Sequence, residues 1–261
     1  TRSMFDTATG RFRDVDLRTG TFLSDEGPTD YWGMNPRRHS VLSLTALILG
    51  VATPKQAQDM RMEVPHYGNP PWPYWPSWTY VTSEAASAIG LHLFAGENAA
   101  SILSRVYPET DRREMGQVSR PLPGVAREYW PKLEEFRGSD AYGWGAHTAT
   151  LLIRQVVGWR ESEDTSTCRF VLAPSLSSLL WQPGKQYGLA NINYRGQRFA
   201  IWLEITEENT LRVRLEFDTE VAVRVTGPGN ASVYQGQAAS LHTFMATNAN
   251  LYDVVIEEAP A

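Results

Sequence analysis

Two hydrophobic patterns follow one another along the chain. Up to about residue 157 apolar positions recur at helical spacing, and they predict helices over 38–49, 53–63, 82–94, 97–107 and 144–157. The first is closed by Gly50. The second opens on Thr53-Pro54-Lys55-Gln56, with Thr53 as N-cap, Pro54 at the first helical position and Gln56 placed to reach back to the cap amide. Ala85, Ala86, Ile89 and Leu93 make the apolar face of the third. Pro108 stops the fourth, and the short Ala95-Gly96 link predicts that these two pack as an antiparallel pair. A polar linker at 161–167 follows, and beyond it the period falls to two. Phe199, Ile201, Leu203 and Ile205 alternate with Ala200, Trp202 and Glu204; Leu211, Val213, Leu215 and Phe217 alternate with Arg212, Arg214 and Glu216; Val221, Val223 and Val225 continue the pattern. Turn signals at 195–196, 208–209, 227–230 and 248–250 space the strands as in a small antiparallel sandwich.

The segments between the helices are rich in rings. Residues 1–22 read as an irregular hairpin with turns at Thr9-Gly10 and Thr19-Gly20. Residues 30–36 form an aromatic and polar loop. Residues 66–80 hold four prolines and three tryptophans, so an extended, stiff backbone carrying its rings outward is expected there. Residues 109–124 read as a surface connection. The stretch 125–145 combines Glu128, Glu134, Glu135 and Asp140 with Tyr129, Trp130, Phe136, Tyr142 and Trp144, and its glycines permit tight turns. Rings stack on sugar faces and carboxylates cleave glycosidic bonds, so this is the candidate site. Glu128 leads, with Glu134 and Glu135 behind it as an adjacent acidic pair, while Asp140 suits a helix cap.

Composition narrows the classes. A formal net charge of −5 without any run of Lys or Arg argues against a nucleic-acid surface. No apolar stretch reaches the length of a membrane-spanning helix, so a soluble chain without a membrane partner is expected. The single cysteine, Cys168, has no partner for an internal disulfide and reads as a small apolar residue beside a strand. His39, His66, His92, His147 and His242 lack metal-ligand spacing, so neither a metal nor a cofactor is expected.

In order, R-E-Y-W-P from Arg127, R-G-S-D-A from Arg137 and Y-G-W-G-A-H-T-A-T-L-L from Tyr142 resemble the C-terminal part of family 63 glycoside hydrolases, inverting enzymes acting on α-glucosides and related sugars. Trp75-Pro76-Ser77-Trp78-Thr79-Tyr80 is similar to that family's sugar-binding loop, and F-D-T-A-T-G-R-F-R-D-V-D to its hairpin before a late helix. The resemblance implies a mainly α fold, part of an (α/α)6 toroid over 1–160, followed by an antiparallel β-sandwich over 161–261. It places the general base at Glu128, and Trp72, Trp75, Trp78, Tyr129, Trp130 and Trp144 against the sugar. Departures accompany it. The family's Arg-Gly before its Trp-Pro motif is replaced by Tyr67-Gly68-Asn69-Pro70, and five helices stand where a toroid has twelve. The family's acid, an Asp, has no identified counterpart. The chain, which opens on Thr1, thus reads as a C-terminal piece or subunit, with a second chain supplying the other half. The alternative is a non-catalytic carbohydrate-binding or structural module; a phosphorolytic enzyme of similar fold is a third reading.

Overall fold

A computed structural model describes residues 4–23, 41–65, 76–106, 111–115, 118–122 and 147–258. The chain divides into two compact units, one of residues 1–94 and 104–147, the other of residues 95–103 and 148–261.

In the first unit Phe5–Asp6 (β1) pairs with Arg11–Phe12 (β2), and the two phenylalanine rings meet edge to face at 5.0 Å. The Asp6 carboxylate builds the turn: Oδ1 accepts from the Ala8 amide at 2.9 Å and Oδ2 from Arg13 Nη1 at 2.7 Å, while Arg13 Nη2 donates to the Leu23 carbonyl. Asp16 repeats the device ten residues on, accepting from the Arg18 and Thr19 amides. A short 3-10 turn over Val41–Leu44 runs into Thr45–Ile48 (α1). Pro54–Asp59 (α2) carries the complete capping box, with the Thr53 amide donating to Gln56 Oε1 at 2.9 Å and the Gln56 amide to Thr53 Oγ1 at 3.3 Å.

The next helix starts and stops elsewhere than the periodicity predicts. Pro76–Ala88 (α3) begins on Pro76, which fits a first helical turn because the missing N–H has no partner to lose there. It ends at Gly90, whose φ of 76° closes a left-handed cap, with the Leu91 amide donating to the Ala86 carbonyl at 2.8 Å. His92–Val106 (α4) then runs straight through Ala95-Gly96, the expected link. Gly96 serves packing instead: a Cβ there would lie 2.0 Å from the Ser175 carbonyl oxygen. Residues read as a surface connection form a hairpin, Asp111–Met115 (β3) with Val118–Leu122 (β4). His147–Leu151 (α5) continues as one π-helical stretch, Leu152–Val157, which stops at Gly158.

The second unit is built on one seven-stranded antiparallel sheet. Its strands are Trp159–Glu161 (β5), Cys168–Leu172 (β6), Gln186–Tyr194 (β7), Gln197–Glu207 (β8), Thr210–Thr226 (β9), Ser232–Thr247 (β10) and Tyr252–Glu258 (β11). β9 is the spine. Its first half pairs with β8 and its second half with β11, while β10 runs along the whole of its other edge. Register shifts between Gly236 and Leu241 bend the β9–β10 ribbon, and the sheet curls. Its two wings then meet: Phe170 of β6 stacks on Phe199 of β8 at 5.3 Å, and the Tyr194 hydroxyl of β7 donates to the Arg169 carbonyl of β6 at 3.0 Å. The core is the inward set that the alternation predicts, from Phe199 to Ile205, Leu211 to Phe217 and Val221 to Val225, all buried.

The structure overturns the expected class. Strand outweighs helix among the described residues, so the chain is not a mainly α protein. Among the described residues the α-helical segments Thr45–Ile48, Pro54–Asp59, Pro76–Ala88, His92–Val106 and His147–Leu151 are 4, 6, 13, 15 and 5 residues long. Three of them are two turns or less, too short to supply the stacked walls of an (α/α)6 toroid or barrel. The expected β-sandwich is likewise one continuous curled sheet, whose wings stand in for two layers.

Candidate functional site

The site begins with where α3 starts. Because Pro76 opens a helix, Trp78, Thr79 and Tyr80 lie on its first turns as half-buried residues rather than on an extended loop. Helical spacing then puts Tyr80, Glu84 and Ser87 on one side. The opposite partner is His147, the first residue of α5. The Tyr80 and His147 rings stack with centroids 4.5 Å apart and planes 26° from parallel. The helices opened by the Trp75–Tyr80 motif and by the Tyr142–Leu152 motif thus meet at their starts.

Burial lowers the His147 pKa from its ordinary value, because desolvation penalises the imidazolium. A neutral imidazole offers one donor and one acceptor beside a phenol. Farther along α3 the side chains of Thr82, Ser83, Glu84 and Ser87 are buried together, Glu84 at 7% exposure. Ser87 Oγ lies 3.2 Å from His92 Nδ1, and Arg61 Nη1 donates to the Ile89 carbonyl at 2.8 Å, which ties the end of α3. The sequence placed Tyr80 in the Trp75–Tyr80 stretch and His147 in the Tyr142–Leu152 stretch without pairing the two rings, and it did not single out Glu84. The available signal for Glu84 was a carboxylate in an alanine-rich helix, one turn beyond Tyr80.

Of the sequence-derived site residues the structure places Trp78, half-buried on α3. Trp72 and Trp75, the carboxylates Glu128, Glu134, Glu135 and Asp140, and the rings Tyr129, Trp130 and Trp144 lie outside the described residues. Among the described residues no group of three His, Cys, Asp or Glu side chains is disposed to hold a metal ion. No helix there is long and apolar enough to cross a membrane. No protein-family model matches the sequence, and no curated protein aligns with it significantly.

Proposed function

We propose that this chain acts on carbohydrate, as an inverting glycoside hydrolase of α-glucosides or related glycans in which Glu128 is the general base. The observation that supports the reading is the Tyr80–His147 stack, because it joins two helices whose opening motifs are those expected to face the sugar. In this scheme Glu128 deprotonates a water that attacks the anomeric carbon from the face opposite the leaving group. The proton donor stands about 6.5–9.5 Å from it, leaving room for that water. Trp78 and the neighbouring rings hold the sugar plane and exclude solvent.

The experiment is hydrolysis of maltotriose and an aryl α-glucoside by the chain and by Glu128→Gln, with the first-formed anomer read by NMR. The expected results are release of the β-anomer and loss of turnover by at least about a hundredfold in the variant, the range of a general base. Unchanged turnover in Glu128→Gln refutes the assignment. The predominance of strand among the described residues favours a second reading, a carbohydrate-binding module without catalysis. It predicts saturable glycan binding, weakened by Trp78→Ala, in a chain that hydrolyses none of these substrates.

A further inference from the structure

The outer face of the curled sheet carries a groove that the candidate site does not use. Between Leu189 and Ile192 the β7–β8 ladder slips, and within the slip Asn191 has a φ of 58°, a left-handed backbone that residues with a Cβ seldom adopt. Beside it Asn191, Arg198, Trp202, Glu216 and Asp218 line a groove of about 190 Å³. That is below the roughly 300–1,000 Å³ of pockets for drug-sized ligands, so the space suits one or two small rings.

Its chemistry is specific. The Trp202 ring lies on the backbone of Gly188, where a Cβ would come within 2.3 Å of Cε3. Trp202 Nε1 donates to Glu216 Oε2 at 2.9 Å, which fixes the indole. Arg214 Nε lies 2.9 Å from the other oxygen of Glu216. Arg198 Nη2 donates to Asn191 Oδ1 at 2.9 Å, and its Nε lies 3.6 Å from Asp218 Oδ2. Each guanidinium is therefore matched by a carboxylate, so the groove as a whole favours neither an anion nor a cation. It presents the edge of an immobilised indole, amide donors and acceptors, and carboxylate oxygens that can take further hydrogen bonds. The ligand class that matches is a compact neutral ring with several hydroxyls, which meets the indole at its edge and the polar groups around it.

We infer that this groove is a binding subsite for a neutral pyranose, held by Trp202 with Asn191, Arg198 and Asp218 as its hydroxyl partners. The inference rests on the carbohydrate reading above for its choice of sugars, but on none of the residues of that site. A strand bulge that re-aims one side chain, beside a ring fixed in place, is a pre-organised arrangement and lowers the ordering cost of binding.

The test follows the Trp202 indole N–H resonance of the 15N-labelled chain, assigned with Trp202→Phe, during titration with maltotriose, cellotriose or mannotriose. A saturable shift with at least one trisaccharide is expected, weakened about tenfold by Arg198→Ala, or about 1.4 kcal/mol. Arg198 is 61% exposed, so its variant should melt as the parent does. That keeps the test open if Trp202→Ala, which uncovers Gly188, fails to fold. No shift with any of the three sugars, or a shift that Arg198→Ala and Asn191→Gly leave unchanged, overturns the inference. Failure of the two readings is separable: a lost titration with hydrolysis intact removes the subsite alone, and a titration that persists in a chain without hydrolysis leaves the subsite standing.

Discussion

Asn248 supplies the sharpest test of how the second unit is closed. It follows β10 at 9% exposure, and its side-chain amide pairs with one buried backbone: Oδ1 accepts from the Leu176 N–H at 2.9 Å and Nδ2 donates to the Leu176 carbonyl at 2.9 Å. The adjacent Ala249 amide donates to the Pro174 carbonyl, so the segment after β6 is fastened here and the Asn248 side chain stands in for a missing strand. Asn248→Ala leaves two buried backbone groups unsatisfied. At about 1–3 kcal/mol for each, the loss should be roughly 2–6 kcal/mol. With a urea slope of about 1–3 kcal/mol/M, the midpoint followed by tryptophan fluorescence should fall by about 1 M or more at constant slope. Asn248→Asp separates the two bonds. Its carboxylate keeps the acceptor for the Leu176 N–H but faces the Leu176 carbonyl without a donor. Folding therefore favours the protonated acid, whose pKa is raised, and the deficit should shrink as pH falls through that raised value. A stability within about 0.5 kcal/mol of the parent for Asn248→Ala, or a deficit in Asn248→Asp that grows on acidification, would refute the reasoning.

Three further changes probe other parts of the fold. Gly158 has φ 81° and a Cβ there would sit 2.0 Å from the Ala173 oxygen, whereas Gly90, at φ 76°, has nothing within 4 Å; Gly158→Ala should therefore lower the melting temperature far more than Gly90→Ala, which should cost only about 1 kcal/mol. Equal melting of the two would remove the packing argument. His242 Nε2 faces the Val221 and Ala239 carbonyls, so it carries the hydrogen and Nδ1 accepts from the Tyr234 hydroxyl at 3.0 Å. Tyr234→Phe should destabilise by about 1–3 kcal/mol in urea unfolding, and a neutral result would show that this hydrogen bond does not contribute to stability. The Arg13 guanidinium, with bonds from the Thr9 side chain and the Ala8 amide, holds the Asp6 carboxyl below its ordinary value. Its contribution is full above the unfolded value near 3.8 and is lost as pH falls through the lower folded one. Hydrogen exchange of the Gly10 and Arg13 amides should therefore separate the parent from Asp6→Asn at pH 6 and converge towards pH 3, after correction for intrinsic exchange.

What was legible in the chain is what depends on near neighbours. The inward set from Phe199 to Val225 is a period of two, and the Thr53–Gln56 box is four residues long; both can be read locally. The partner choice that makes a curled sheet rather than a sandwich cannot. Asp218-Thr219-Glu220 interrupts the apolar run and resembles a turn, yet Phe217 and Val221 keep the same parity, so β9 continues and changes its neighbour from β8 to β11. That exchange depends on strands far away in sequence. Helix limits failed for the complementary reason. Gly96 and Gly90 look equally able to break a helix; only the closeness of the Ser175 backbone explains why Gly96 lies inside one.

The same distinction governs the site. Motifs met in the right order along a chain carry no statement about whether they meet in space, and a proline-rich run can open a helix as readily as it can hold rings on a loop. The Tyr80–His147 stack is a statement of that second kind, since two rings 4.5 Å apart fix the starts of two helices against each other. It also changes which residues matter. Glu84 lies one turn farther along α3 on the same face as Tyr80, and it is buried. A carboxylate that serves as base must remain reachable by water, and Glu84 at 7% exposure is not. On the proposed reading chemistry falls to the acids of the 125–145 stretch and sugar contact to Trp78 on α3, which is why Glu128→Gln tests turnover and Trp78→Ala tests binding.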